Sequence, residues 1–85
     1  ALSFYHKTLQ IQQKSLSPNH PSLVVTHGKL AIAFEDLHRH EEAIEHAQKA
    51  VNIAVVAFGP SHPEVEKRQQ YLDKLQQEKK VVIKQ

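Results

Sequence analysis

Pro18-Asn19-His20-Pro21 returns forty-two residues on as Pro60-Ser61-His62-Pro63. The rest of the chain falls into register around this punctuation. The same offset pairs Ala1 with Ala43, Lys7 with Lys49, Ile11 with Ile53 and Leu30 with Leu72. Apolar residues fill the intervals: Leu2 with Ile44, Leu9 with Val51, Leu16 with Phe58, Leu23 with Val65. A fixed period of this length marks stacked repeats. The 85 residues divide accordingly. Residues 1–17 are the second helix of a partial unit, residues 18–59 a complete unit, and residues 60–85 a closing helix with a tail.

The prolines also decide against a competing pattern. Leu2, Leu9, Leu16, Leu23, Leu30 and Leu37 lie seven apart, and Ile44, Val51, Phe58, Val65 and Leu72 extend the series. On spacing alone this suits a coiled coil. A continuous helix would have to carry Pro18, Pro21, Pro60 and Pro63, each internal proline costing about 3 kcal/mol. The sevenfold spacing survives because the repeat length is a multiple of seven. Cutting at the prolines and at the His-rich bend predicts four helices, over about 2–16, 21–37, 41–58 and 63–80. His20 falls at the N-cap of the second, and Pro21 in its first turn, where no N–H is needed. Glu41 and Glu42 open the third helix and Glu64 and Glu66 the fourth, where carboxylates suit the helix dipole. Gly59 supplies a left-handed stop. Short connections predict antiparallel neighbours, hence an all-α array of helix-turn-helix units.

Composition narrows the function. The chain is 40% hydrophobic and 24% charged, which suits a folded domain and excludes a disordered or fibrous one. Eleven Lys and Arg against nine Asp and Glu are too balanced for a dedicated nucleic-acid binder. The chain has no cysteine, so it offers no disulfide, thiolate metal site or thiol nucleophile. The longest apolar run is Ile53 to Phe58, far too short to span a bilayer. The start shows no signal-peptide pattern, and a cytoplasmic protein is expected. No nucleophile turn such as Gly-x-Ser-x-Gly occurs, so no enzyme is expected.

Antiparallel helix pairs of this period resemble the tetratricopeptide repeat, in the longer form found in kinesin light chains. Leu30, Ala31 and Phe34 match the large-small-aromatic signature of that family's first helix. Ala43 and Ala50 match the small positions of its second helix, and Ala1 and Tyr5 match the small and aromatic positions in the partial unit. Small side chains let paired helices approach closely. His38 stands at the bend where the family usually has Gly. Gly28 and Lys29 stand where the light chains carry paired Asn. Asp73 and Gln76 replace the small and aromatic residues of the last helix, giving it the polar outer face of a cap.

The resemblance implies a protein-interaction or scaffold module, without cofactor, that binds a peptide segment in a concave groove. The family's inward positions map to Val25, Gly28, Lys29, Ile32 and Glu35 on the second helix. On the fourth they map to Lys67, Gln70, Tyr71 and Lys74. An apolar floor with a basic flank suits a peptide carrying carboxylates. The alternative is self-association, with a homodimer as the simplest form. Its surface would combine the Leu2, Leu9 and Leu16 stripe with Val55 and Val56, which replace Gln13 and Lys14 of the first unit. His38, His40, Glu42 and His46 gather near the bend. Imidazole and carboxylate can hold zinc, and solvated bend histidines are the other reading; the spacing matches no metal motif, so no metal site is assigned. Lys79, Lys80 and Lys84 read as a solvated tail, not as a nucleic-acid or membrane contact.

Overall fold

The computed structural model describes residues 2–15 and 17–84. Among them the chain forms four helices: α1 (Leu2–Ser15), α2 (Pro21–Asp36), α3 (His40–Phe58) and α4 (Pro63–Lys84). This is the all-α array that the repeat predicts. One boundary differs. The fourth helix does not stop near residue 80 but continues through Lys84. From Glu64 onward it holds neither Gly nor Pro, so no residue supplies a stop before Lys84.

The repeated His-Pro step works by the same chemistry twice. His20 has an extended backbone, and its Nδ1 accepts from the Ser22 N–H at 3.1 Å. His62 Nδ1 accepts from the Glu64 N–H at 3.0 Å. Each imidazole thus satisfies one of the amides that a helix start leaves unpaired. The adjoining proline at the first helical position lacks that donor altogether.

Contacts fix the direction of each helix. Thr26 Oγ1 donates to Gln12 Oε1 at 2.6 Å, while His6 meets Phe34. His27 meets His46, while Arg39 lies over Phe34. Phe58 stacks on His62, while Glu41 pairs with Lys79. Partners advance along one helix as they retreat along the next, so consecutive helices are antiparallel. Between α2 and α4 the partners advance together, from Gly28 with Arg68 to Glu35 with Tyr71. These two helices therefore run parallel and share one face of the molecule.

Packing follows the small residues. Ala43, Ala47, Ala50 and Ala54 form a buried stripe along α3, which lets that helix nest between α2 and α4. Leu30 and Val24 from α2 and Leu72 and Leu75 from α4 close the core. Burying each such leucine contributes roughly 1.5–3 kcal/mol. Leu9 of α1 belongs to this core and is buried. It is therefore not part of an open stripe, because its helix turns that edge inward onto α2. Leu2 and Leu16 lie outside the residues whose side chains are described. Val55 packs on the core, and Val56 is exposed.

Candidate functional site

The parallel pair α2 and α4 presents the positions that the sequence singled out. Val25 and Ile32 are apolar yet 46% and 49% exposed. They lie seven residues apart on α2, hence on one face, with exposed Lys29 between them. Lys67 and Gln70 are exposed on α4. These five side chains are open to a partner.

The other four are engaged within the chain. Gly28 is buried, and the Arg68 guanidinium lies over it: a Cβ there would sit 2.5 Å from Arg68 Nη1. Arg68 is held in turn by Glu64, Nη2 to Oε1 at 3.0 Å. The Tyr71 hydroxyl donates to Glu35 Oε1 at 2.7 Å. Lys74 reaches the other Glu35 oxygen at 3.5 Å and Glu78 at 4.0 Å. Lys74 is thus a neutralised strut, not a free cation as the family mapping implied.

These engagements leave a charge gradient along the face. Glu35, Asp36 and Glu78, with Lys74, Gln77, His38 and His40, line an open cleft of about 830 Å³ at the bend end. Burial opposes ionisation of Glu35, but the Tyr71 hydrogen bond, the neighbouring Glu78 carboxyl and the Lys74 ammonium outweigh it, and its pKa falls. The Glu78 pKa rises, first through the neighbouring Glu35 carboxyl and then through burial. The Tyr71 pKa rises as well, through burial and then through the Glu35 carboxylate. Two carboxyls and a phenol thereby gather at the acidic end, the phenol donating to Glu35 and Glu78 Oε1 buried without a hydrogen-bond partner among the described residues. Lys29 and Lys67 mark the opposite, basic end. Val25 and Lys29 also border a smaller cleft of about 320 Å³ against Phe4, Thr8 and Gln12 of α1.

The histidines near the bend separate. His38 and His40 stay together, their rings 6.4 Å apart. His46 turns into the interior, where its Nδ1 meets His27 Nδ1 at 3.0 Å. Among the described residues no three His, Asp or Glu side chains converge as a metal site. Among the same residues no helix is long and apolar enough to cross a membrane.

Sequence reasoning missed Arg68, Asp36, Gln77 and Glu78 at this face. The parallel relation of α2 to α4 was the usable signal: it places Glu78 near the α2 C-terminus as surely as it places Lys67 near Gly28. It also missed the pairing of His27 with His46, because the two lie nineteen residues apart and meet only when α2 packs on α3. A family model described as tetratricopeptide repeat matches residues 1–55. No curated protein matches the chain.

Proposed function

Because the chain belongs to the tetratricopeptide repeat family, whose members are protein-interaction modules, we propose that the face shared by α2 and α4 binds a peptide segment of a partner protein. The observation that carries this reading is the exposed Val25 and Ile32 pair, flanked by Lys29 and faced by Lys67 and Gln70. Apolar side chains held in water at regular spacing on a rigid helix suit a partner that covers them. The module is non-catalytic in this reading and needs no cofactor.

The charge gradient gives the peptide a direction. Its carboxylates go to Lys29 and Lys67, its apolar side chains to Val25 and Ile32, and any basic group to the Glu35, Asp36 and Glu78 end. The test is fluorescence anisotropy with a short labelled peptide carrying leucines and, at one end, glutamates. Lys29→Glu and Lys67→Glu should each weaken binding about fivefold, and added salt should weaken it further. Binding that ignores both changes would remove the peptide from this face.

Self-association is the second reading. Exposed Val56 on α3 supports it, but the burial of Leu9 and the packing of Val55 within the chain leave its surface smaller than the sequence suggested.

A further inference from the structure

His27 lies two residues from Val25 and two from Lys29. At about 100° per residue it falls on the side of α2 turned away from them. There it lines an open cleft of about 400 Å³ between α1, α2 and α3. Leu23, Ile53 and Pro18 give this cleft apolar walls, and His27, Lys49 and Asn52 give it a polar side. We propose that it is a binding site for a small carboxylate with a short branched aliphatic chain, its oxygens held by Lys49, Asn52 and His27. The site is separate from the α2 and α4 face.

Each polar group keeps a donor for such a ligand. The His27 side chain is buried, at 3% exposure, and its Nδ1 is engaged with His46 Nδ1. Its Nε2 has no hydrogen-bond partner among the described residues, yet it is not sealed from solvent. The cleft that the ring lines is its outlet. A ring nitrogen left open in an otherwise buried side chain calls for a partner. Asn52 Oδ1 accepts from Gln48 Nε2 at 2.9 Å, which leaves Asn52 Nδ2 to donate elsewhere. Lys49 directs one N–H at Glu45, at 3.4 Å, and keeps further N–H groups beyond it.

Charge and shape define the ligand. None of the residues lining the cleft is acidic, while Lys49 brings a positive charge. Burial, then His46 and Lys49, hold the His27 pKa down, so the Lys49 charge reaches this ring. A carboxylate supplies the complementary charge and accepts from all three groups. Neutral His27 donates through Nε2 only in the tautomer whose Nδ1 accepts from His46. The bound carboxylate therefore selects that tautomer and sets the direction of the His27 to His46 hydrogen bond. The volume suits a small molecule, and buried Leu23 and Ile53 offer branched aliphatic surface to its tail.

The test adds isovalerate to the full chain at pH 7.5 and follows backbone amides and histidine ring nitrogens by NMR. Saturable shifts are expected at His27, Lys49 and Asn52, with a Kd of about 1 mM. The His27 Nε2 signal should move toward its protonated position and Nδ1 toward its unprotonated one. Isovaleramide, the uncharged isostere, should bind about tenfold more weakly. Acetate, which lacks the branched tail, should also bind about tenfold more weakly. Lys49→Gln should weaken isovalerate about fivefold and Asn52→Ala about twofold. Both side chains are exposed, so helix content by circular dichroism should stay equal. Lys67→Glu, on the α2 and α4 face, should leave binding unchanged. Absence of saturable shifts at His27, Lys49 and Asn52 would overturn the proposal, as would equal binding of isovaleramide or parental affinity in Lys49→Gln. Saturable shifts confined to Lys29 and Lys67 would put the anion on the other face and overturn it too.

Discussion

His27 and His46 form a buried contact that responds to pH. Their Nδ1 atoms approach to 3.0 Å, both residues are buried, and their rings stack. At that distance one ring must donate and the other accept, so the acceptor ring carries no proton at Nδ1. Adding a proton to the acceptor sets two donors face to face. Burial holds the His27 pKa down to about 4, with His46 and Lys49 adding to the effect. His46 is lowered by burial first, then by Lys49, with His6 contributing and Glu45 and Glu42 opposing. The sign follows from linkage. Above the ordinary histidine pKa neither folded nor unfolded chain is protonated here, and the pair costs nothing. As pH falls below 6.5 the unfolded chain gains protons that the folded chain refuses, and stability drops until pH reaches about 4. For His27 the full loss is about 3 kcal/mol. Thermal unfolding followed at pH 7.5 and at pH 5 should give a clearly lower midpoint at pH 5. His27→Gln should flatten that dependence. Equal midpoints in the parent protein would contradict the buried neutral pair.

At the scale of helices, the bend after α2 is closed by a Schellman arrangement. The Arg39 N–H donates to the Phe34 carbonyl at 2.9 Å, and the His38 N–H to the Glu35 carbonyl at 2.9 Å. This geometry needs a left-handed residue, and His38 takes it with φ at 59°. A side chain with a Cβ pays roughly 1–2 kcal/mol there. Arg39 reinforces the turn, its guanidinium 5.0 Å from the Phe34 ring centre and hydrogen-bonded twice to Glu42. His38→Gly should therefore stabilise the fold by about 0.5–1 kcal/mol, read from the midpoint of urea unfolding. A destabilised variant would mean that the imidazole makes contacts worth more than the strain. The bend was legible in the sequence because Gly59 and the prolines had already fixed the period, which left room for one more turn near His38. So were the alanine stripe of α3 and the His-Pro caps, since each depends on local spacing. The four engaged groove positions were not. Whether Lys74 is a ligand-binding cation or a strut depends on Glu35 arriving beside it from another helix, whereas Glu78 sits one turn further along α4. The length of α4 was also misjudged, because Val81, Val82 and Ile83 are weak helix formers, yet no Gly or Pro stops the helix before them.

The whole molecule is a short stack with unlike faces. Helices α2 and α4 share one face with an apolar pair at its centre, a basic end and an acidic end. Helix α3 fills the layer between them, buried along its alanines. The outward positions of α4, among them Glu66, Gln69, Asp73 and Gln76, are polar and exposed. Helix α2 itself fixes the spacing of Val25 and Ile32, and the Tyr71 and Lys74 links to Glu35 hold α4 beside it. The central claim is that this face receives a peptide. It is tested most directly by following backbone amide shifts in NMR as the glutamate- and leucine-bearing peptide is added. The account predicts saturable shifts concentrated at Val25, Lys29, Ile32, Lys67 and Gln70. Saturable shifts confined to Val56 and its neighbours on α3, with the α2 and α4 face unmoved, would contradict it.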